Sequence, residues 1–126
     1  MVELFAPEDY WKASRELKEK IVNGCGSARA KFDFVPDNIL GLDISEACNI
    51  HDWMYHFAPA KIEYKEKADR VFLNNMIRLI DAKTKWKWLR KLRRCIAKKY
   101  YLAVKYYGAP AFWAGKNKPK NLGKVV

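Results

Sequence analysis

The last third of this chain has no acidic residue. From Ala82 to Val126 there are 14 lysines and arginines and no aspartate or glutamate, whereas up to Asp81 there are 14 acidic residues against 11 basic ones. An evenly mixed charged surface is therefore excluded. The C-terminal third points towards a polyanion, either an anionic membrane surface or a nucleic acid, beside the plain case of a solvated basic helix face. Long apolar runs are also missing: none approaches the roughly 20 residues that cross a bilayer, so no helical span is expected. The first ten residues carry Glu3, Glu8 and Asp9, where a secretory leader has a basic and then an apolar stretch. Either such a leader has been removed or that route is not used, and secreted or membrane-associated action both stay open. Cysteine is scarce: Cys25, Cys48 and Cys95 leave an odd thiol if one pair forms, so a dense disulfide framework is excluded. Strand-like alternation is absent as well.

What is present is enough for one folded domain. The chain has 126 residues, of which half are apolar and 14% aromatic, a composition that buries a single modest core. One domain is expected over residues 1–115, followed by a loose basic tail over 116–126. Pro7 to Val22 reads as an amphipathic helix with Trp11, Leu17 and Ile21 as its apolar contacts. Asn23 to Gly41 is rich in Gly, Pro, Asp and Asn and reads as an irregular loop, a length that points to function. Asp43 followed by Glu46 has capping-box spacing, so a helix is expected from there to about Phe57, where Pro59 stops it. A second helix is expected from Ile62 to Ala82, with Ala68, Phe72, Met76, Leu79 and Ile80 on its inner face. A third, from Trp86 to Tyr107, turns Leu89, Leu92, Ile96, Ala103 and Tyr107 inward and ends at Gly108 and Pro110. The fold class is all-α.

One residue breaks the apolar stripe of the second helix. At about 100° per residue, Asp69 falls between Met76 and Ile80. A buried carboxylate needs a polar partner. The connection between the two helices is centred on Ala60, and His51 and Asp69 each lie nine residues from it. In an antiparallel hairpin with a short turn, residues equidistant from the turn lie at one height, so His51 is expected to meet Asp69. Tyr55, one turn after His51, is placed to reach the same carboxylate. A histidine backed by a buried carboxylate is an oriented general base, although a core His–Asp hydrogen bond without catalysis has the same pattern. Asp52 adjoins His51, and Gly24-Cys25-Gly26 can turn backbone carbonyls to one point. Together they offer oxygens to a hard cation such as calcium. Cys25 and Cys48 either bridge, clamping that loop beside Asp52, or stay as free thiols. A zinc site from Cys25, Cys48 and His51 lacks a fourth ligand.

The string Ala47-Cys48-Asn49-Ile50-His51-Asp52-Trp53-Met54-Tyr55 resembles the C-x-x-H-D-x-x-Y active-site helix of secreted phospholipases A2. Gly24-Cys25-Gly26 resembles their calcium loop, and Ala68-Asp69-Arg70-Val71-Phe72 their second active-site helix. Pro36 to Gly41 and Tyr100 to Val104 are similar to the short bacterial and fungal members. The resemblance implies a small phospholipase A2-like fold: two antiparallel active-site helices, a calcium-binding loop, and flanking N- and C-terminal helices. It implies calcium-dependent hydrolysis of the sn-2 ester of glycerophospholipids, with His51 as base, Asp69 as its orienting acid and Tyr55 bonded to Asp69. Asp52 becomes the calcium ligand, with the carbonyls of Gly24, Gly26 and Ala28, or with the Asn23 side chain as in bacterial members. It also implies a Cys25–Cys48 disulfide and leaves Cys95 free.

Trp86, Lys87, Trp88, Arg90, Lys91 and Arg94 interleave aromatic and basic side chains on the third helix. Tryptophan and tyrosine beside lysine suit a bilayer interface, so an anionic phospholipid surface is the expected partner, with no sequence-specific nucleic acid. The competing expectation is a catalytically inactive phospholipase-like module that binds anionic membrane or nucleic acid through this helix.

Overall fold

Four residues, Ala58 to Lys61, separate helix α3 (Ser45–Phe57) from helix α4 (Ile62–Lys83). A connection this short, containing Pro59, turns the chain back on itself and leaves the two helices antiparallel. Three residues, Thr84 to Trp86, reverse it again into α5 (Lys87–Tyr107), so α4 is packed between α3 and α5. The computed structural model describes residues 2–21 and 35–113. Among these, the remaining elements are the short helices α1 (Glu8–Lys12), α2 (Arg15–Ile21) and α6 (Ala109–Trp113), and a two-stranded antiparallel hairpin of β1 (Asn38–Ile39) and β2 (Leu42–Asp43). The chain is mostly helical, as periodicity predicts. The expected tail at 116–126 and most of the loop beginning at Asn23 lie outside the described residues.

The inner face of α4 is the predicted one: Ala68, Phe72, Met76, Leu79 and Ile80 are all buried. Elsewhere the structure corrects the sequence reading. The single helix expected from Pro7 to Val22 is broken at Ala13 and Ser14, because the Ser14 hydroxyl accepts the Leu17 N–H at 3.1 Å and starts a new helix. Trp11 and Leu17 are exposed, the Ile21 side chain lies outside the described residues, and among the described side chains of this segment Tyr10 is buried. Its hydroxyl donates to Glu46 at 2.5 Å. That bond diverts Glu46 from the expected capping box. The N-cap position falls on Ile44, without a side-chain cap, and Asp43 at the end of β2 accepts the Ser45 N–H at 2.8 Å from one residue further out.

The face of α5 is rotated from its predicted position. Leu89, Ile96 and Ala103 are half-buried, with Ile96 and Ala103 packed on the core, but Leu92 and Tyr107 are exposed and the fully buried positions are Ala97 and Val104. Two polar side chains explain the rotation. Arg93 donates to the Ile39 and Leu40 carbonyls at 3.1 and 2.8 Å and to the Thr84 hydroxyl at 3.0 Å, and Tyr100 donates to the Asn38 carbonyl at 3.0 Å. These bonds satisfy turn carbonyls beside the core, so polar residues take the side that an apolar count gave to leucine. The small Ala97 sits at the middle of the buried face. Gly108 ends α5 as expected, but Pro110 does not end the helical structure. It lies in the first turn of α6, where a missing N–H costs nothing.

The hairpin that leads into α3 was not predicted, since two residues per strand are too few to show alternation. Its turn needs left-handed backbone at Leu40 (φ 50°) and Gly41 (φ 86°). Glycine adopts this without cost and leucine does not. Leu40→Asn should therefore stabilise the protein by about 0.5–1 kcal/mol, while Gly41→Ala should destabilise it by about 1 kcal/mol. Nothing lies within 4 Å of a methyl group placed at Gly41, so the second effect would come from the backbone alone. Urea unfolding measures both, and unchanged midpoints in the two variants would contradict the turn geometry.

Candidate active site

The α3–α4 hairpin brings together the residues that its symmetry predicts. His51, Tyr55 and Asp69 are 3%, 3% and 1% exposed. His51 Nε2 lies 2.7 Å from Asp69 Oδ1, and the Tyr55 hydroxyl donates to the same oxygen at 2.5 Å. A carboxylate only accepts, so the imidazole proton in this bond sits on Nε2, and Nδ1 carries the ring's lone pair. The ring is fixed by packing as well. Its centroid is 4.8 Å from that of Phe72 and 4.1 Å from that of Tyr55. The edge of Phe112 from α6 closes on Tyr55 at 5.1 Å.

Lys65 is the residue that the sequence reading missed. It is 3% exposed, and its ammonium donates to Asp69 Oδ2 at 2.8 Å. Its other two bonds go to the Val104 and Lys105 carbonyls in the last turn of α5, at 3.0 and 3.2 Å. The signal was available: a lysine four residues before a buried aspartate lies on the same helix face. The end of α5 is close-fitting here. A methyl group at Gly108 would meet the Val104 carbonyl oxygen at 2.5 Å and the Tyr55 hydroxyl at 2.9 Å.

These contacts set the protonation states. Burial pushes the Asp69 carboxyl up, but hydrogen bonds from His51, Lys65 and Tyr55, with the charge opposite, hold it below its ordinary value. Burial first, and then the negative charges of Asp69 and Asp52, push the Tyr55 hydroxyl well above its ordinary value, so it stays a donor. The site can therefore hold an anion behind a histidine whose base nitrogen is directed away from that anion.

Asp52 follows His51 on α3 and is half-buried. An aspartate carboxylate is the hard oxygen donor that calcium takes, so its chemistry fits that ion. Alone it is not a site: the described residues contain no group of three or more His, Cys, Asp or Glu able to hold a metal. Asn23, Gly24, Gly26 and Ala28, the other expected ligands, lie outside the described residues, as does Cys25. Cys48 is buried at 2% exposure, and Cys95 is free and exposed.

The six residues expected to dock on a membrane divide into two groups. Trp86 and Trp88 are 61% and 65% exposed with stacked rings 6.4 Å apart, and Lys87 and Lys91 are exposed beside them. Arg90 is half-buried and Arg94 is exposed, and with Lys87 and Lys91 they line one shallow surface cavity, although both arginines are also paired. Arg90 donates to the Thr84 carbonyl at 2.9 Å, and Arg94 makes a two-pronged ion pair with Asp81 at 3.0 and 2.5 Å. No helix among the described residues is long and apolar enough to cross a membrane.

No protein-family model matches the sequence, and neither a curated protein nor a solved structure is detectably similar to it.

The state of Asp69 has a consequence for acid stability. Its folded value is lowered, so its contribution is complete above the ordinary value of 3.8 and is lost as pH falls through the folded value. Urea unfolding at about pH 6 and about pH 2.5 should show a larger loss of stability in the wild type than in Asp69→Asn. Equal losses would contradict a buried anion at this position.

Proposed function

We propose that the protein is a phospholipase A2-type hydrolase that cleaves the sn-2 ester of glycerophospholipids with a water activated by His51. One observation carries the reading: a buried Asp69 accepts from His51 Nε2 and from Tyr55 on a single oxygen. That arrangement supports a base with its proton-accepting atom, Nδ1, presented away from the carboxylate. Nδ1 takes a proton from water as the water oxygen attacks the ester carbonyl, and the imidazolium that forms is stabilised by Asp69. The same proton passes to the departing alcohol oxygen, which returns His51 to its starting tautomer. No covalent acyl intermediate is needed. The motif resemblance supplies the substrate class, and the hairpin geometry is consistent with it. Calcium would be held by Asp52 with the carbonyls of the loop around Gly24 and Gly26, and would supply positive charge to the lipid phosphate and the developing oxyanion. A Cys25–Cys48 bridge would tie that loop to α3.

His51→Gln should lower the rate of fatty-acid release from phospholipid vesicles by roughly 10²- to 10⁴-fold, the usual contribution of a general base. Tyr55→Phe should lower it by about tenfold, one hydrogen bond of about 1.4 kcal/mol. Wild-type rates in His51→Gln would remove the histidine from the mechanism.

The exposed Trp86–Trp88 pair beside Lys87 and Lys91 favours docking on an anionic lipid surface. It equally favours the second reading, an inactive binding module. Neutralising Lys87 and Lys91 should weaken binding to anionic vesicles by about 1 kcal/mol per charge, with turnover of dispersed monomeric lipid unchanged. Arg90 should show its effect in thermal stability, because its bond to the Thr84 carbonyl is part-buried, whereas the exposed Arg94–Asp81 pair should add little. If wild-type protein binds vesicles but releases no fatty acid at any calcium concentration, the inactive module is the better account.

A further inference from the structure

Lys65 has no part in the mechanism derived above, yet it is one of the most completely enclosed charges among the described residues. A buried ammonium persists only when each of its three protons has an acceptor. Here they do: Asp69 Oδ2 at 2.8 Å, the Val104 carbonyl at 3.0 Å and the Lys105 carbonyl at 3.2 Å. The two carbonyls belong to the last turn of α5, the negative end of a helix of 21 residues. They alone would suit a staple between α4 and α5. The third contact is different in kind, because it falls on the carboxylate that holds His51.

The two oxygens of Asp69 are divided between these roles. Oδ1 accepts from His51 and Tyr55, and Oδ2 accepts from Lys65. An aspartate carboxylate turns readily about its last torsion, which is broad and nearly two-fold. With Oδ2 held by the ammonium, that rotation is stopped and Oδ1 is fixed as the acceptor for the imidazole. We propose that Lys65 is a positioning residue for the hydrolytic reaction, locking the Asp69 carboxylate so that His51 is held in its productive orientation, with the end of α5 as the anchor. The inference rests on the hydrolase reading, but it makes one prediction that needs no activity.

A residue acting through Asp69 has no effect once Asp69 is disabled. Lys65→Met should lower kcat on dispersed short-chain phospholipid by about tenfold or more with KM within about twofold. In an Asp69→Asn background the same change should lower kcat by less than about twofold, a non-additive cycle. Equal, additive losses in the two backgrounds would make Lys65 a structural staple only and overturn the proposal.

The activity-independent readout is the His51 Nε2–H proton resonance. Its chemical shift should move in Lys65→Met while the core methyl resonances stay in place, and an unmoved resonance would overturn the proposal. If the wild type hydrolyses no lipid, the hydrolase reading falls and this resonance alone decides whether Lys65 orients the pair. Should Lys65→Met fail to fold, the unaltered protein still decides. The Lys65 ammonium should give a resolved, slowly exchanging ¹⁵N–¹H signal that is lost in Asp69→Asn. Its absence from the wild-type spectrum, or its persistence unchanged in Asp69→Asn, would overturn the inference.

Discussion

A carboxylate with 1% of its surface in contact with solvent has to find all of its solvation inside the protein. Asp69 finds it from three directions, and those directions set the arrangement of the three long helices. His51 and Tyr55 reach it from α3, which fixes the register of the α3–α4 hairpin. Lys65 reaches it from one turn earlier on α4 and carries the connection on to the last carbonyls of α5. The network is satisfied throughout: Lys65 has an acceptor for every proton, and both carboxylate oxygens are engaged. A partly satisfied version would be worse than an apolar core, because each unpaired member would bear its full desolvation cost.

The same accounting changes the meaning of the basic third of the chain. A run without acidic residues suggests a helix whose whole outer face is available to a polyanion. Several of its charges are instead spent on the fold itself. Arg93 closes the β-turn, Arg90 caps a carbonyl at the α4–α5 connection, and Arg94 finds Asp81, the last acidic residue before the run begins. What faces outward at the start of α5 is two stacked tryptophans with Lys87 and Lys91, beside the already paired Arg90 and Arg94. An aromatic pair flanked by lysine matches the layered polarity of a membrane interface better than it matches the phosphate track of a duplex.

The features legible in the sequence were those set by a period or by a distance from a turn. The inner face of α4 and the meeting of His51 with Asp69 both follow from counting residues, and the structure agrees. The features that were not legible depend on polar atoms meeting across long sequence separations. Leucine periodicity predicts one face of α5 as the inner one, but Arg93 and Tyr100 bond to carbonyls more than 50 residues away, and that shifts the buried face towards Ala97 and Val104. The spacing of Glu46 from Asp43 predicts a capping box, but Glu46 accepts from Tyr10, 36 residues away. Lysines on a long amphipathic helix are ordinarily on its wet side, which hides the burial of Lys65. Its spacing to Asp69 is legible, four residues along one helix face, but the two α5 carbonyls that complete its burial lie 39 and 40 residues away in sequence.

The central claim is that water, oriented by His51 against Asp69, breaks an sn-2 ester directly. The most direct test is hydrolysis of anionic phospholipid vesicles in ¹⁸O-labelled water with calcium present, followed by mass spectrometry of the products. The account predicts release of the sn-2 fatty acid with one labelled oxygen in its carboxylate, and a lysophospholipid that carries none. No fatty acid above the protein-free blank, or release from the sn-1 position alone, would contradict it.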